Sequence, residues 1–431
     1  MNAGAARIDI TPDHDVWMDG MIRAHRSTGV HDPLFAKALV LCETNPHRDG
    51  VALVSVDVCV IGTADNLAMR RRITKKTGIP TDRIILAATH SHSGPATVGY
   101  FNPKEDDYVK ALSDKIAEVV ASAVTSLAPA AIGCASGRED TISHYRRLLA
   151  DDGHVVMNWE PWPAERIVRV LGVIDPEVGV LKIVPANDTA KTIALLFNHA
   201  GHPNVLSGDN YLLTPDYPGL AEKLLEKKFG GTALFFNGAQ GSMDIDGLKD
   251  RDWEGRDRVG QALADAVAQT AQSIKPSSHT KLRIASTRYT VPARKISAKE
   301  LDWADRILEQ TGGAIKTVAD GVGDDYKATL YRKLRACEHQ PINLEQIGVA
   351  IGDSALISFP GELFTEVGQQ IKAQSPLKHT WCLGLANGQI GYVPTRTAIS
   401  QGGYESDTRE ADDAAAEQIV AHSLELLRRL A

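Results

Sequence analysis

A chain of 431 residues, 43% hydrophobic and 23% charged, is long enough to bury a large core and has an ordinary globular composition. Its net charge of −7 argues against nucleic acid or an anionic membrane surface as the main partner. No run of about 18 uncharged apolar residues marks a membrane span, so no membrane insertion is expected. Cys42, Cys59, Cys134, Cys337 and Cys382 are scattered and form no C-x-x-C pair, the usage of free thiols in a reducing compartment. With no basic-then-apolar N-terminal segment, the expected location is cytoplasmic.

In chain order, residues 7–12 read as a strand stopped by Pro12, and apolar strands are expected at 34–41 and 51–58. A helix at 64–77 leads to the apolar run Arg83-Ile-Ile-Leu86 and then to Thr89-His-Ser-His-Ser-Gly-Pro95. In extended backbone, residues i and i+2 project to the same side, so His90 and His92 are expected to face one spot before Ser93-Gly-Pro95 turns the chain away. Val109, Leu112, Ile116, Val119, Val120 and Val124 recur at helical spacing and predict an amphipathic helix over 104–127.

Strands at 131–134, 178–183 and 192–197 follow, and the last runs into Asn198-His-Ala-Gly-His-Pro203, again an apolar run ending in histidine. His199 and His202 face opposite ways on an extended segment, so one ligand is expected, with His202 the better placed. A helix at 218–229, a strand at 232–236 and a helix at 251–274 continue the alternation. Between them lies the Gly-rich loop Asn237-Gly-Ala-Gln-Gly-Ser-Met-Asp-Ile-Asp-Gly247, whose Asp244 and Asp246 equally suit a plain Asx-type loop. Residues 295–340 read as a helical excursion on the outside of the core. A strand at 350–359 meets Pro360-Gly-Glu-Leu-Phe364, a strand at 381–386 enters Asn387-Gly-Gln-Ile-Gly-Tyr-Val-Pro394, and a helix at 412–430 closes the chain. The β-α alternation, without repeats or linkers, predicts one α/β domain over residues 1–431.

Polar groups thus leave apolar runs at His90/His92, His199/His202, Glu362 and Tyr392, and function collects where strands hand over to loops. Two imidazoles, a carboxylate and one further oxygen suit one Zn2+ per chain with a position left for water, which zinc acidifies to a pKa of about 7. His92 would lie beside the metal and help move a proton. Glu362 after Pro-Gly equally suits a helix N-terminus, and Tyr392 a core tyrosine.

Several segments together resemble the neutral/alkaline non-lysosomal ceramidases and their shorter bacterial relatives. These are Asp9-Ile-Thr-Pro12, Gly29-Val-His-Asp-Pro33, Thr89-His-Ser-His-Ser-Gly-Pro95, Tyr145-Arg-Arg147, Ile174-Asp-Pro-Glu-Val-Gly-Val180, His202-Pro203, Asp216-Tyr-Pro-Gly219, Pro360-Gly-Glu362, Gly391-Tyr392 and Gly403-Tyr-Glu405. The resemblance implies stacked mixed β-sheets flanked by α-helices and hydrolysis of an N-acyl amide bond. It implies zinc on His90, His202, Glu362 and Tyr392, with His92, Arg146 and Tyr404 lining the substrate site. Two departures stand out. Where the family carries G-D-x-S-P, this chain reads Gly241-Ser-Met-Asp-Ile245, so Asp244 takes the place of the serine and a serine nucleophile is unsupported. The C-terminal β-domain of the ceramidases is also expected to be absent, which points from ceramide towards a small polar substrate.

The leading expectation is therefore a zinc-dependent amide hydrolase in which Asp244 orients water or binds a substrate hydroxyl or amine. An ester, lactone or sugar derivative, or ceramide itself, is the alternative, and a non-catalytic zinc protein comes last. The expected partner is a small-molecule substrate, and a homo-oligomer is left open.

Overall fold

The computed structural model describes residues 1–245, 251–318 and 320–431. Asp246 of the Gly-rich loop lies outside the described residues.

An eight-stranded sheet organises the first two thirds of the chain. Its spatial order is Thr232–Asn237, Ala194–His199, Glu177–Pro185, Ala128–Arg138, Asn2–Asp9, Phe35–Cys42, Val51–Val56 and Ile84–Ala88. The pairs at its two ends are parallel and the pairs between them antiparallel, so the sheet is mixed. Val51–Val56 and Ile84–Ala88 are buried along their whole length, which is why they read as continuous apolar runs and not as alternating ones. A second sheet, in the order Leu282–Val291, Ile342–Ile351, Ser354–Ser358 and His379–Leu383, packs against the first. Leu39, Leu53, Leu196 and Leu234 from one sheet meet Ile347, Val349, Leu356 and Trp381 from the other in a single buried layer.

Helices cover the outer faces. Thr63–Thr77 and Asp106–Thr125 lie over one half of the large sheet, and Asp216–Phe229 and Trp253–Ser273 over the other. Thr365–Gln374 and Ala415–Leu430 cover the small sheet. In Asp106–Thr125 the buried positions Val109, Leu112, Ile116, Val119 and Val120 follow the apolar stripe of the sequence. The architecture is α/β, with stacked mixed sheets flanked by helices. Among the described residues, no helix is long and apolar enough to cross a membrane.

Three expectations change. The single strand expected at 350–359 is an antiparallel hairpin, Ile342–Ile351 with Ser354–Ser358, turning at Gly352, whose φ of 63° suits glycine. The strand before His90 ends at Ala88, and His90 itself takes a left-handed φ of 75°. The excursion comprises Ala298–Thr311 and Asp324–Cys337 around a small core of Ala304, Ala328, Tyr331 and Leu334. It does more than lie outside, because Tyr326, Leu330 and Lys333 form one wall of the cavity beside His90 and His92.

Candidate metal centre

Three parallel strand pairs bring the donors together. The parallel pair Val51–Val56/Ile84–Ala88 delivers His90, whose backbone N–H donates to the Val58 carbonyl at 3.0 Å. The parallel pair Ala194–His199/Thr232–Asn237 delivers His202 three residues beyond its end. Glu362 and Tyr392 come from a third place. Glu362–Leu363 and Tyr392–Val393 form a short parallel pair in which Glu362 and Tyr392 are register partners, so a separation of thirty residues in sequence becomes adjacency.

The donor atoms converge. His202 Nε2 lies 3.1 Å and His90 Nε2 3.4 Å from Glu362 Oε2, and His92 Nε2 lies 3.3 Å from His90 Nε2. All four side chains are buried. His90 Nδ1 donates to the Cys59 carbonyl at 2.8 Å, and His202 Nδ1 donates to the Met243 carbonyl at 2.7 Å. Each of these bonds fixes the tautomer that leaves the Nε2 lone pair facing the cluster. His90 and His92 therefore meet by a different route from the one expected. A positive φ and a turn aim both rings inward, not a strand alternation.

Donor chemistry and spacing fit a divalent cation. Tetrahedral zinc with bonds of 2.0–2.1 Å sets its ligand atoms about 3.3 Å apart, close to the separations found here. His90, His202 and Glu362 form one group able to hold a metal, and Cys59, His90 and His92 form another. The first is favoured geometrically, because His90 Nδ1, the nitrogen 3.5 Å from Cys59 Sγ, is already committed to a carbonyl.

Electrostatics agree. Burial works against the charge of Glu362, yet His90 and His202 outweigh it and hold the carboxyl well below its usual range. Burial, with His90 and His202 nearby, keeps His92 well below the usual histidine value. Burial and the Arg146 charge lower His202. Burial also opposes charge on His90, but Cys59 and Glu362 overcome it and raise its pKa well above the usual value. A proton on His90 thus balances the Glu362 charge, and a cation among these donors does the same. Burial and the Glu362 carboxylate push the Tyr392 phenol up.

Arg146 lies behind the cluster. Its Nε donates to Glu405 Oε1 at 2.7 Å, its Nη2 to the Gly241 carbonyl at 3.0 Å, and its Nη1 lies 3.3 Å from His202 Nε2. The guanidinium faces the rings of Tyr392, Trp159 and Tyr404 at 5.1, 5.3 and 5.7 Å. A cavity of about 220 Å3 opens from the cluster and is bounded by His90, His92, Glu362, Tyr392 and Tyr404 at its inner end.

Seven of the eight sequence-derived residues, His90, His92, Arg146, His202, Glu362, Tyr392 and Tyr404, thus meet around one point. Asp244 does not face it. Its strand, Met243–Ile245, supplies the carbonyl that holds His202, but its carboxylate accepts from the Ile245 N–H at 2.9 Å and lies 3.5 Å from Arg251. His199 turns away to the Glu177 carbonyl and Ser143. Glu405 went unassigned in the sequence reading. Its oxygens bridge Arg146 and Arg147 at 2.7 Å each, and all three side chains are buried. The sequence carries no signal for this role, because the burial of the two adjacent arginines, which calls for a buried carboxylate, exists only in the fold.

A sequence model of the neutral/alkaline non-lysosomal ceramidase N-terminal region matches residues 1–252. The neutral ceramidase of Pseudomonas aeruginosa is 27% identical over 247 residues, which cover 54% of this chain and 35% of that protein. The match therefore spans about a third of that relative's length. The crystal structure of the Pseudomonas aeruginosa neutral ceramidase superposes with a TM-score of 0.76 at 20% identity, covering 100% of this chain and 74% of the other. A structure described as ceramidase complexed with C2 gives 0.76 and 20%, over 100% and 75%. At that identity the likeness is one of fold. Because the family model covers more than half of the chain, this protein belongs to the neutral/alkaline non-lysosomal ceramidase family.

Proposed function

We propose that the chain is a zinc-dependent hydrolase that cleaves the C–N bond of an N-acyl amide. One observation carries the reading: His90 Nε2, His202 Nε2 and Glu362 Oε2 converge at 3.1–3.4 Å, with both histidine Nδ1 atoms committed to carbonyls, at the inner end of a cavity. His90, His202, Glu362 and Tyr392 would hold the ion. Bound there, zinc supplies an acidified water and a Lewis acid for the carbonyl.

The protein's own groups do the rest. His92, with Nε2 3.3 Å from His90 Nε2 at the inner end of the cavity, is the group placed to pass a proton. Arg146, fixed behind the cluster by Glu405 and the Gly241 carbonyl, sets a permanent positive charge 3.3 Å from His202 Nε2 and against the Tyr392 ring, and so positions these two groups. Tyr404 stands edge-on to Tyr392, with ring centroids 5.4 Å apart, and closes the inner end against water. Asp244, facing Arg251, acts by holding the strand that fixes His202 and not by touching substrate. The cavity mixes aromatic rings (Tyr100, Phe101, Tyr326) with Lys333 and Glu410, and its volume encloses a small group. That supports a small substrate of mixed polarity.

Purified protein assayed on N-acyl amines of graded chain length, with and without chelator, tests this reading. Chelator-sensitive release of free amine, restored by zinc, is the expected result. Turnover untouched by metal removal would refute the metal, and hydrolysis of matched esters but not amides would refute the bond.

A further inference from the structure

The cavity has a second polar feature that the proposed chemistry leaves unused. Asp19 is fully buried and lines the cavity together with Cys59, His90 and His92. Its two oxygens differ. Oδ2 accepts from the Thr97 N–H at 2.6 Å and more distantly from the Val98 N–H at 3.3 Å and the Thr97 hydroxyl at 3.4 Å. Oδ1 is buried with no hydrogen-bond partner. A buried acceptor without a donor is unfavourable unless something else supplies one.

The position of Asp19 is set firmly against the reactive end. Its backbone N–H donates to the Gly94 carbonyl at 3.1 Å, and Arg23 donates both to the Asp19 carbonyl (3.2 Å) and to the His92 carbonyl (2.9 Å). Asn102 Nδ2 bridges the Met18 and Met21 carbonyls, each at 2.7 Å. The next residue, Gly20, has a φ of +89° and lies so close to His92 that an added Cβ would stand 2.4 Å from Cγ of the ring. The turn therefore stacks directly on the imidazole assigned to proton transfer. Burial raises the Asp19 carboxyl to about 6, so it is ionised and acceptor-only in neutral solution.

We propose that Asp19 is a specificity-determining residue whose Oδ1 accepts a hydrogen bond from a hydroxyl or ammonium group of the substrate. The proposal rests on the amide-hydrolase reading and narrows it: the substrate class is N-acyl amides carrying a hydrogen-bond donor near the scissile bond. A site built to hydrogen-bond a substrate group discriminates strongly against the analogue that lacks it, because its own polar atom is then left unpaired.

D19N provides the test. The Thr97 and Val98 amides require an oxygen at the Oδ2 position, so the asparagine NH2 takes the Oδ1 position, and the cavity gains a donor where it had an acceptor. Three N-acyl amides with one common acyl chain and amine halves ending in hydroxyl, ammonium or methyl are compared by kcat/KM. The wild-type protein should prefer the hydroxyl or the ammonium compound over the methyl compound by ~10- to 100-fold, and the preferred one identifies the donor. In D19N the ratio should fall to near one or invert. A merely structural role would lower all three rates together and leave the ratio unmoved, which would overturn the proposal, as would a wild-type ratio near one. If none of the three is hydrolysed, the amide reading fails, and Asp19 is then judged by calorimetric titration of the three intact amides. Tighter binding of the donor-bearing amide by wild type than by D19N supports the assignment, and equal affinities overturn it.

Discussion

Two buried clusters of charged side chains are built on the same large sheet, and they have opposite characters. On one face, Lys37 reaches Glu222 at 2.9 Å and Glu226 at 3.4 Å. The carboxylates of that cluster also accept backbone N–H groups, Glu222 from Phe235, Glu226 from Ala233 and nearby Asp57 from Phe35. Its lone pairs are turned inward and used up. At the strand ends, His90, His202 and Glu362 are just as buried, but their Nε2 and Oε2 atoms crowd one another beside a cavity, and His92 Nδ1 and Asp19 Oδ1 have no partner. Buried charge alone therefore does not mark a site. What marks it is donor capacity left open towards a space that a ligand can enter.

This contrast can be broken at either cluster. The largest effect is expected at the strand ends: H90A or E362Q should lose bound metal and lower kcat/KM at least ~1,000-fold, about 4 kcal/mol of transition-state stabilisation, while the fold persists. Metal content per chain, far-UV circular dichroism and turnover together check this. K37M should do the reverse. Unpairing Glu222, while Glu226 keeps Arg7, should cost about 3 kcal/mol of stability, read by urea denaturation, with metal content of the remaining folded protein unchanged. E405Q joins the two regimes. It removes the charge shared by Arg146 and Arg147, so a stability loss of about 3 kcal/mol should come with a fall in kcat as Arg146 is released. If E405Q loses stability but keeps full kcat, Arg146 is structural only.

Smaller effects sharpen the picture. G20A should press on the His92 ring and lower kcat by about 10-fold with metal retained, and a variant of wild-type activity would mean that the Asp19–Gly20 turn is not coupled to His92. The satisfied cluster is also expected to show a pH slope. Burial first, and then the Glu222 charge, raise the folded-state pKa of Asp57 to about 8, well above its ordinary value. Between about pH 4 and pH 8 the folded chain then holds a proton that the unfolded chain, with a carboxyl pKa near 3.9, does not. The contribution of Asp57 to stability is greatest below that window and is lost as pH rises through it. D57N, which cannot titrate, should gain stability relative to wild type from pH 5 to pH 8.5 in parallel urea titrations. A constant difference would show that Asp57 titrates alike in both states.

Much of the site is legible in the chain itself, because its parts obey local rules. Apolar runs ending in His-Ser-His-Ser-Gly-Pro, in His-Pro or in Pro-Gly-Glu announce where strands stop and reactive groups begin, and the stripe of Asp106–Thr125 shows which face packs. Long-range pairing decided the rest. No periodicity could reveal that Glu362 and Tyr392 are register partners, that Glu405 ties Arg146 to Arg147, or that the helices near residues 298–337 wall the cavity. Asp244 shows the limit from the other side: it occupies a suggestive position in a motif, yet its neighbours turn it towards Arg251. Asp19 shows it again, in a segment with no pattern of its own, because whether a buried oxygen has a partner depends on atoms some eighty residues away. Sequence determines which chemical groups are available and which strands and helices carry them. Only the folded chain determines which lone pairs are consumed and which are left for a ligand, because that depends on every neighbour at once.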